Sequence, residues 1–232
     1  MNRLWIPTIL VLFSLSNLFA AGQEAERLAA SSRVFQEIMN MPDGSIPKDL
    51  LARASCIAII PSMKKAAFFV GGRYGKGMVS CRKGRGTGAW GPPAMITLGG
   101  GSFGLAIGAS SVDVVMLVMM KEGVYSFLKN KFTLGIDASA AAGPVGRAGA
   151  AETDAYMRAK ILSYSRSRGV FAGVELKGTV IKQDREANRK LYRRVIGAKE
   201  LLMEVEEPIP AAAISVIQVL TKFSPTKHRR PL

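Results

Sequence analysis

Glycine placement constrains this chain more than any other feature. From residue 57 to residue 183, short runs of β-type apolar residues alternate with glycines, and no regular helical pattern intervenes. The run 57–60 reads as a buried strand stopped by Pro61. Strands over 66–70 and 78–82 come next, with Gly71, Gly72, Gly75 and Gly77 between them. Residues 84–88 read as a glycine loop, and 95–98, 103–109 and 112–120 as further strands ending in a hairpin-like turn at Lys121-Glu122-Gly123. Weaker strands are predicted over 138–142 and 161–164, and 170–183 alternates cleanly. Glycine inside a strand permits tight bends and close backbone contact. Such strands, unseparated by helices, predict an antiparallel, Gly-rich sheet that curls into a barrel-like core.

Helical periodicity is confined to the two ends, which makes the class α+β. Over 23–39, Leu28, Ser32, Phe35 and Met39 share one face with Ala25 and Ile38 beside them. A turn occupies 41–44, and Pro47 suits the start of a short helix over 48–54. Near the other end, 184–205 carries an apolar stripe of Ala187, Leu191, Val195, Ala198 and Leu202. Arg185, Arg189 and Arg193 recur opposite it, either as a solvated face or as a binding face.

The first residues have a different character. Arg3, the apolar run 4–15 and the small residues Ala20 and Ala21 form the pattern of a cleavable signal peptide over 1–21. The expected organisation is then one domain over 22–223 and a flexible basic tail over 224–232. The expected location is periplasmic or secreted, with peripheral membrane association. No later segment is long and apolar enough to span a bilayer. Export permits a disulfide between Cys56 and Cys81, and two buried thiols on neighbouring strands are the alternative.

Charge narrows the partners. With 32 Lys and Arg against 17 Asp and Glu, the formal charge is +15, which favours polyanions. The cations collect near turns: Lys64 and Lys65, Arg73 and Lys76, Arg82, Lys83 and Arg85, and Arg166 with Arg168. Catalytic chemistry is poorly supplied. His228 is the single histidine, so His-based triads and most zinc sites are excluded. Asp113, Asp137 and Asp154 show no spacing that pairs them, and each reads as a turn or hydrogen-bonding residue. Gly99, Gly101 and Gly104 satisfy G-x-G-x-x-G, yet the next residues are strand-like where a dinucleotide site would open a helix. No cofactor is expected and no enzyme activity. Nucleic acid is disfavoured because aromatics are 7% and no helix-turn-helix or zinc-finger pattern occurs.

Four ordered blocks together resemble the SYLF domain family. They are CIAIIPSMKKAAFFVGGRYGKG at 56–77, GPPAMITLGGGSFGLAIGASSVDVVML at 91–117, FTLGIDASAAAGPVGR at 132–147 and LSYSRSRGVFAG at 162–173. The resemblance implies a lipid-binding module. Eukaryotic members bind phosphoinositides, and those in yeast organise cortical actin. It implies lipid contact through an amphipathic N-terminal segment, here Leu28, Phe35, Ile38 and Met39 entering the membrane, and through basic residues such as Lys64 and Lys65. Cys56 stands where glycine is usual, and Ala106 where glutamine is frequent. The expected function is therefore non-enzymatic binding of anionic phospholipids at a membrane surface. The alternative is a structural or interaction protein of the cell envelope that binds an acidic partner.

Overall fold

A computed structural model describes residues 6–41, 45–68, 70–103, 108–146, 159–167, 170–204 and 207–224. Helix α1 (Ile6–Met39) and the short α2 (Lys48–Arg53) precede a long hairpin, β1 (Cys56–Phe68) and β2 (Val70–Cys81). After one helical turn, α3 (Lys83–Gly86), come β3 (Ala94–Phe103) and β4 (Gly108–Val118). Next are α4 (Lys121–Leu128), β5 (Lys131–Thr133), β6 (Ala140–Ala142), β7 (Ile161–Ser167), β8 (Val170–Gly173) and β9 (Val180–Gln183). The chain finishes with α5 (Arg185–Tyr192), a π-helical turn (Glu200–Glu204) and α6 (Ile214–Phe223).

The strands form one sheet in the order β5-β9-β3-β2-β1-β4-β7-β6, with β8 also on β7. The sheet curls into a half-barrel with helices from both ends of the chain, as the glycine pattern predicts. Among the named strands every pairing is antiparallel except β6 with β7, so the sheet is mixed.

Two cores flank the central strands. Ile57 and Ile59 of β1, Met78 of β2 and Val115 and Leu117 of β4 face a helical layer of α1 and α6. Their neighbours Cys56, Ala58, Ile60, Val79, Val114 and Met116 face the inside of the curl, against α4 and the 196–202 segment. A strand buried on both faces needs a continuous apolar run, and CIAII is such a run. The cysteines at the start of this run are bonded: Cys56 and Cys81 are cross-strand partners and form a disulfide. Closing 25 residues of sequence separation in this way contributes about 3 kcal/mol through the unfolded state.

Pro61 does not stop the first strand. The strand expected over 57–60 continues to Phe68, because a one-residue bulge absorbs the proline, and Val70 of the strand expected over 66–70 opens β2 instead. Ile60 pairs with Val114 and Met63 with Val112, so three steps on β1 match two on β4. Proline has no N–H to give to the ladder, and a bulge removes the need for one. Ser62 takes a left-handed φ of 50°, and its amide donates to Asp113 Oδ1 at 2.9 Å. Across the hairpin, a Cβ on Gly77 would lie 2.1 Å from the Ile59 carbonyl oxygen, so only glycine lets β2 close on the bulge.

Other expectations change with the tertiary contacts. Lys121-Glu122-Gly123 opens α4 and is not a hairpin turn; Val124 and Phe127 anchor that helix in the second core. The 84–88 loop overlaps α3, and the alternating run 170–183 divides into β8 and β9 around buried Leu176 and a turn at Gly178 (φ +76°). The helix expected over 184–205 breaks after Tyr192, where Arg193 adopts φ 56°. Ile196, Ala198, Leu201 and Leu202 then enter the second core, which a straight helix could not reach, and Val195 of the expected stripe is left 85% exposed. Helix α6 is absent from the sequence reading; Val216, Ile217 and Leu220 pack it on α1, with Phe223 edge-on to Phe35 at 6.3 Å. Gly99 and Gly101 lie within β3, whereas Gly104 and most of the 103–109 strand lie outside the described residues. So do Asp154, Arg168 and the tail beyond Ser224.

Candidate functional site

The clearest correction concerns α1. Leu28, Phe35 and Ile38 are fully buried and Met39 nearly so, all within the core shared with α6 and the sheet. The apolar face expected to enter a membrane is a core face. Its 3.6-residue period is the same for either destination. Among the described residues no helix is long and apolar enough to cross a membrane.

Two of the expected surface cations are structural. Arg82 is buried and donates to the Gly88 carbonyl at 3.1 Å and to both the carbonyl and hydroxyl of Ser224 at 2.6 Å. Its guanidinium lies 4.2 Å from the centre of the Trp90 ring, and burial lowers its pKa. Arg166 binds Asp113 Oδ2 through Nε at 3.0 Å and Nη2 at 2.7 Å, and reaches Glu37 of α1 through Nη1. Burial opposes that charge, but the hydrogen bonds to Asp113 and Glu37 outweigh it and raise the pKa. Neither arginine can serve a ligand while these bonds hold.

Four other expected cations do gather. In the far half of the β1–β2 hairpin, Lys65 pairs directly with Arg73 on one face of the sheet. Lys64 pairs with Tyr74 on the other face, where Lys76 lies two residues along. Here the sheet runs past both cores: Lys64, Lys76, Ser110 and Ser111 are exposed, Tyr74 is 53% exposed, and Lys65 and Arg73 are half-buried. Arg73 donates to Thr179 Oγ1 at 3.3 Å. Burial first, and the Arg73 charge second, hold the Lys65 ammonium below the ordinary lysine pKa. The single acidic residue in β1–β4 is Asp113, which already serves Ser62 and Arg166.

The sequence reading missed an extension of this patch. Lys76 pairs with Thr97, Thr97 with Lys182 and Lys182 with Lys131, forming one rung across β2, β3, β9 and β5. All three lysines are exposed. No local signal could have joined them, because their alignment depends on the register of strands far apart in sequence. Lys182 could have been marked as the outward residue of an alternating strand.

The remaining cations stand elsewhere. Lys83 is exposed beyond the opposite end of β2, about 20 Å from Lys76 at strand spacing. Arg85 lies two residues on, in α3. Arg185 and Arg189 line a groove beside α5, and Arg193 is exposed at the helix break. The twelve expected cations therefore do not form one face. Of Asp113, Asp137 and Asp154, the two described are hydrogen-bonding residues: Asp137 accepts from the Thr133 amide at 2.6 Å, as Asp113 does from Ser62.

A second cavity, about 390 Å³, adjoins the disulfide between Arg82, Val124, Tyr125 and Met203. Its lining brings no nucleophile together with a base.

Residues 99–223 match the family described as Ysc84, the Las17-binding protein actin regulators. The chain belongs to this family. It is 35% identical over 204 residues to the human SH3 domain-containing YSC84-like protein 1, covering 87% of this chain and 58% of that protein. It is 39% identical over 172 residues to LAS seventeen-binding protein 3 of Saccharomyces cerevisiae, covering 73% of this chain and 37% of that one. Protein YSC84 of the same yeast is 35% identical over 191 residues, or 80% of this chain and 40% of its own length. The chain thus spans little more than half of the human relative and less than half of the yeast ones. The family is one of binding and regulatory domains, not a known enzyme family.

Proposed function

We propose that this protein is a non-enzymatic module that binds anionic phospholipid surfaces through the far half of its β1–β2 hairpin. One observation carries the reading: beyond both cores the hairpin holds exposed Lys64 and Lys76 on one face and half-buried Lys65 and Arg73 on the other, and none of the four is bonded to a carboxylate among the described residues. Like charges directly opposite on neighbouring strands destabilise a sheet, so Lys65 facing Arg73 is a local cost that a bound anion relieves. Each basic side chain near an anionic bilayer contributes about 1 kcal/mol, so the four give about 4 kcal/mol when the hairpin enters the headgroup layer with both of its faces. With the α1 face occupied in the core, attraction is electrostatic first, with Tyr74 the exposed aromatic at the interface.

The disulfide supports an oxidising location, periplasmic or secreted, in keeping with a signal peptide over 1–21. In such a place the natural ligands are the anionic phospholipids of the local membrane, not phosphoinositides. Vesicle co-sedimentation tests the reading. The protein should bind phosphatidylcholine vesicles containing phosphatidylglycerol and ignore pure phosphatidylcholine. Replacing Lys64, Lys65, Arg73 and Lys76 together by Gln should cut binding several-hundred-fold, about 4 kcal/mol. Equal binding to both vesicles, or an unaffected variant, refutes it.

A further inference from the structure

A second basic site stands apart from the hairpin. Where β9 ends and α5 begins, an open groove of about 700 Å³ lies between α5 and the 195–199 segment, with Asn130 and Gln183 at its base. Gln183 joins the parts: its Nε2 donates to the Lys129 carbonyl at 3.2 Å, and its Oε1 accepts from the Ala198 amide at 3.0 Å. Arg185 is steadied by Asn130 Oδ1 at 2.7 Å, and Arg189 stands one helical turn on. Lys199 supplies a third cation to the lining. The one acid lining it, Glu186, is paired with Lys190 at 2.8 Å. Neither Arg185 nor Arg189 has a carboxylate within salt-bridge distance among the described residues.

An apolar contact accompanies the charge. The left-handed turn at Arg193 lifts Val195 out of the stripe it would share with Leu191 and leaves it 85% exposed on the groove wall. Left-handed backbone is disfavoured at a non-glycine residue, and here the outcome is an exposed branched side chain beside three cations. A bilayer surface fits protrusions such as the hairpin, whereas a walled groove admits a chain segment.

From this charge complementarity we propose that the groove docks an acidic protein segment, with carboxylates on Arg185 and Arg189 and an apolar side chain against Val195. This site is independent of the lipid reading, and either can fail alone. The test is fluorescence anisotropy of the full chain with a short labelled peptide of alternating Glu and Leu, against its Gln counterpart. The acidic peptide should bind and the neutral one should not. Arg185→Glu with Arg189→Glu should weaken binding by about tenfold or more, and Val195→Asp by a smaller factor. Arg189→Gln, a change at an exposed residue, should weaken it in the same direction and stands in if the double variant fails to fold. Lys64→Gln with Lys65→Gln should leave peptide binding unchanged while weakening vesicle binding. The proposal is overturned if no peptide binds, if the hairpin variant loses it equally, or if Val195→Asp is silent while glycerol phosphate displaces the peptide. That last result would make the groove a phosphate site.

Discussion

Two cross-strand pairs in one sheet use charge in opposite ways. Asp113 on β4 faces Arg166 on β7, and the pair is completed by the Ser62 amide and by Glu37. Lys65 on β1 faces Arg73 on β2, and no carboxylate is bonded to either among the described residues. The first pair joins a bulge, two strands and a helix, so its charge is used within the fold. The second is half-buried in the far half of the hairpin with no acid bonded to it, so its charge is left unbalanced by the fold. Counting basic residues cannot separate these roles. The carboxylate decides, and the strand register decides where the carboxylate falls.

The comparison breaks most visibly at Asp113. Asp113→Ala removes the acceptor of a bulge amide and leaves a mostly buried guanidinium with Glu37 as its remaining acid. It should lower unfolding free energy by about 3 kcal/mol in a denaturant titration, with vesicle binding of the folded fraction unchanged. A loss below about 1 kcal/mol would mean that the pair holds little together. Lys65→Glu should act oppositely, converting a like-charge pair into an attractive one. A stability gain of about 0.5 kcal/mol together with weaker vesicle binding is expected. If both quantities fell, the pair would be structural, and the contrast with Asp113 would disappear.

The smallest effect is in pH. Lys65 has its pKa lowered in the fold, so in the alkaline range below the ordinary lysine value the unfolded chain binds more protons than the folded one. Its contribution to stability therefore rises with pH through that window, while vesicle binding falls as the charge is lost. Arg73→Gln removes one of the two causes and should move the fall in binding toward higher pH; an unmoved profile would assign the shift to burial alone.

Much of the architecture was readable residue by residue. Glycine-spaced strands with helices at the ends gave the curled α+β sheet, and KK after the proline gave half of the hairpin patch. The hidden parts depend on partners remote in sequence. Pro61 looked like a strand end because the Asp113 that makes its bulge tolerable is 51 positions away from Ser62. Arg82 looked like part of a basic turn because its acceptor Ser224 is 142 positions away. The α1 stripe is hidden for a different reason: a helix bound for a core and one bound for a membrane show the same periodicity, and only the sheet and α6 packed against it distinguish them.

The knot around Ser224 has a bearing on how the molecule is made. Its carbonyl receives Arg82 and the Trp90 indole at 3.1 Å, and its hydroxyl donates to Leu51 at 2.7 Å, so three distant parts of the chain meet there. Until residue 224 emerges, Arg82 lacks two of its hydrogen bonds and α1 lacks its partner helix. Assembly of this domain consequently waits for residue 224, and fragments ending before it should stay open and vulnerable to proteases.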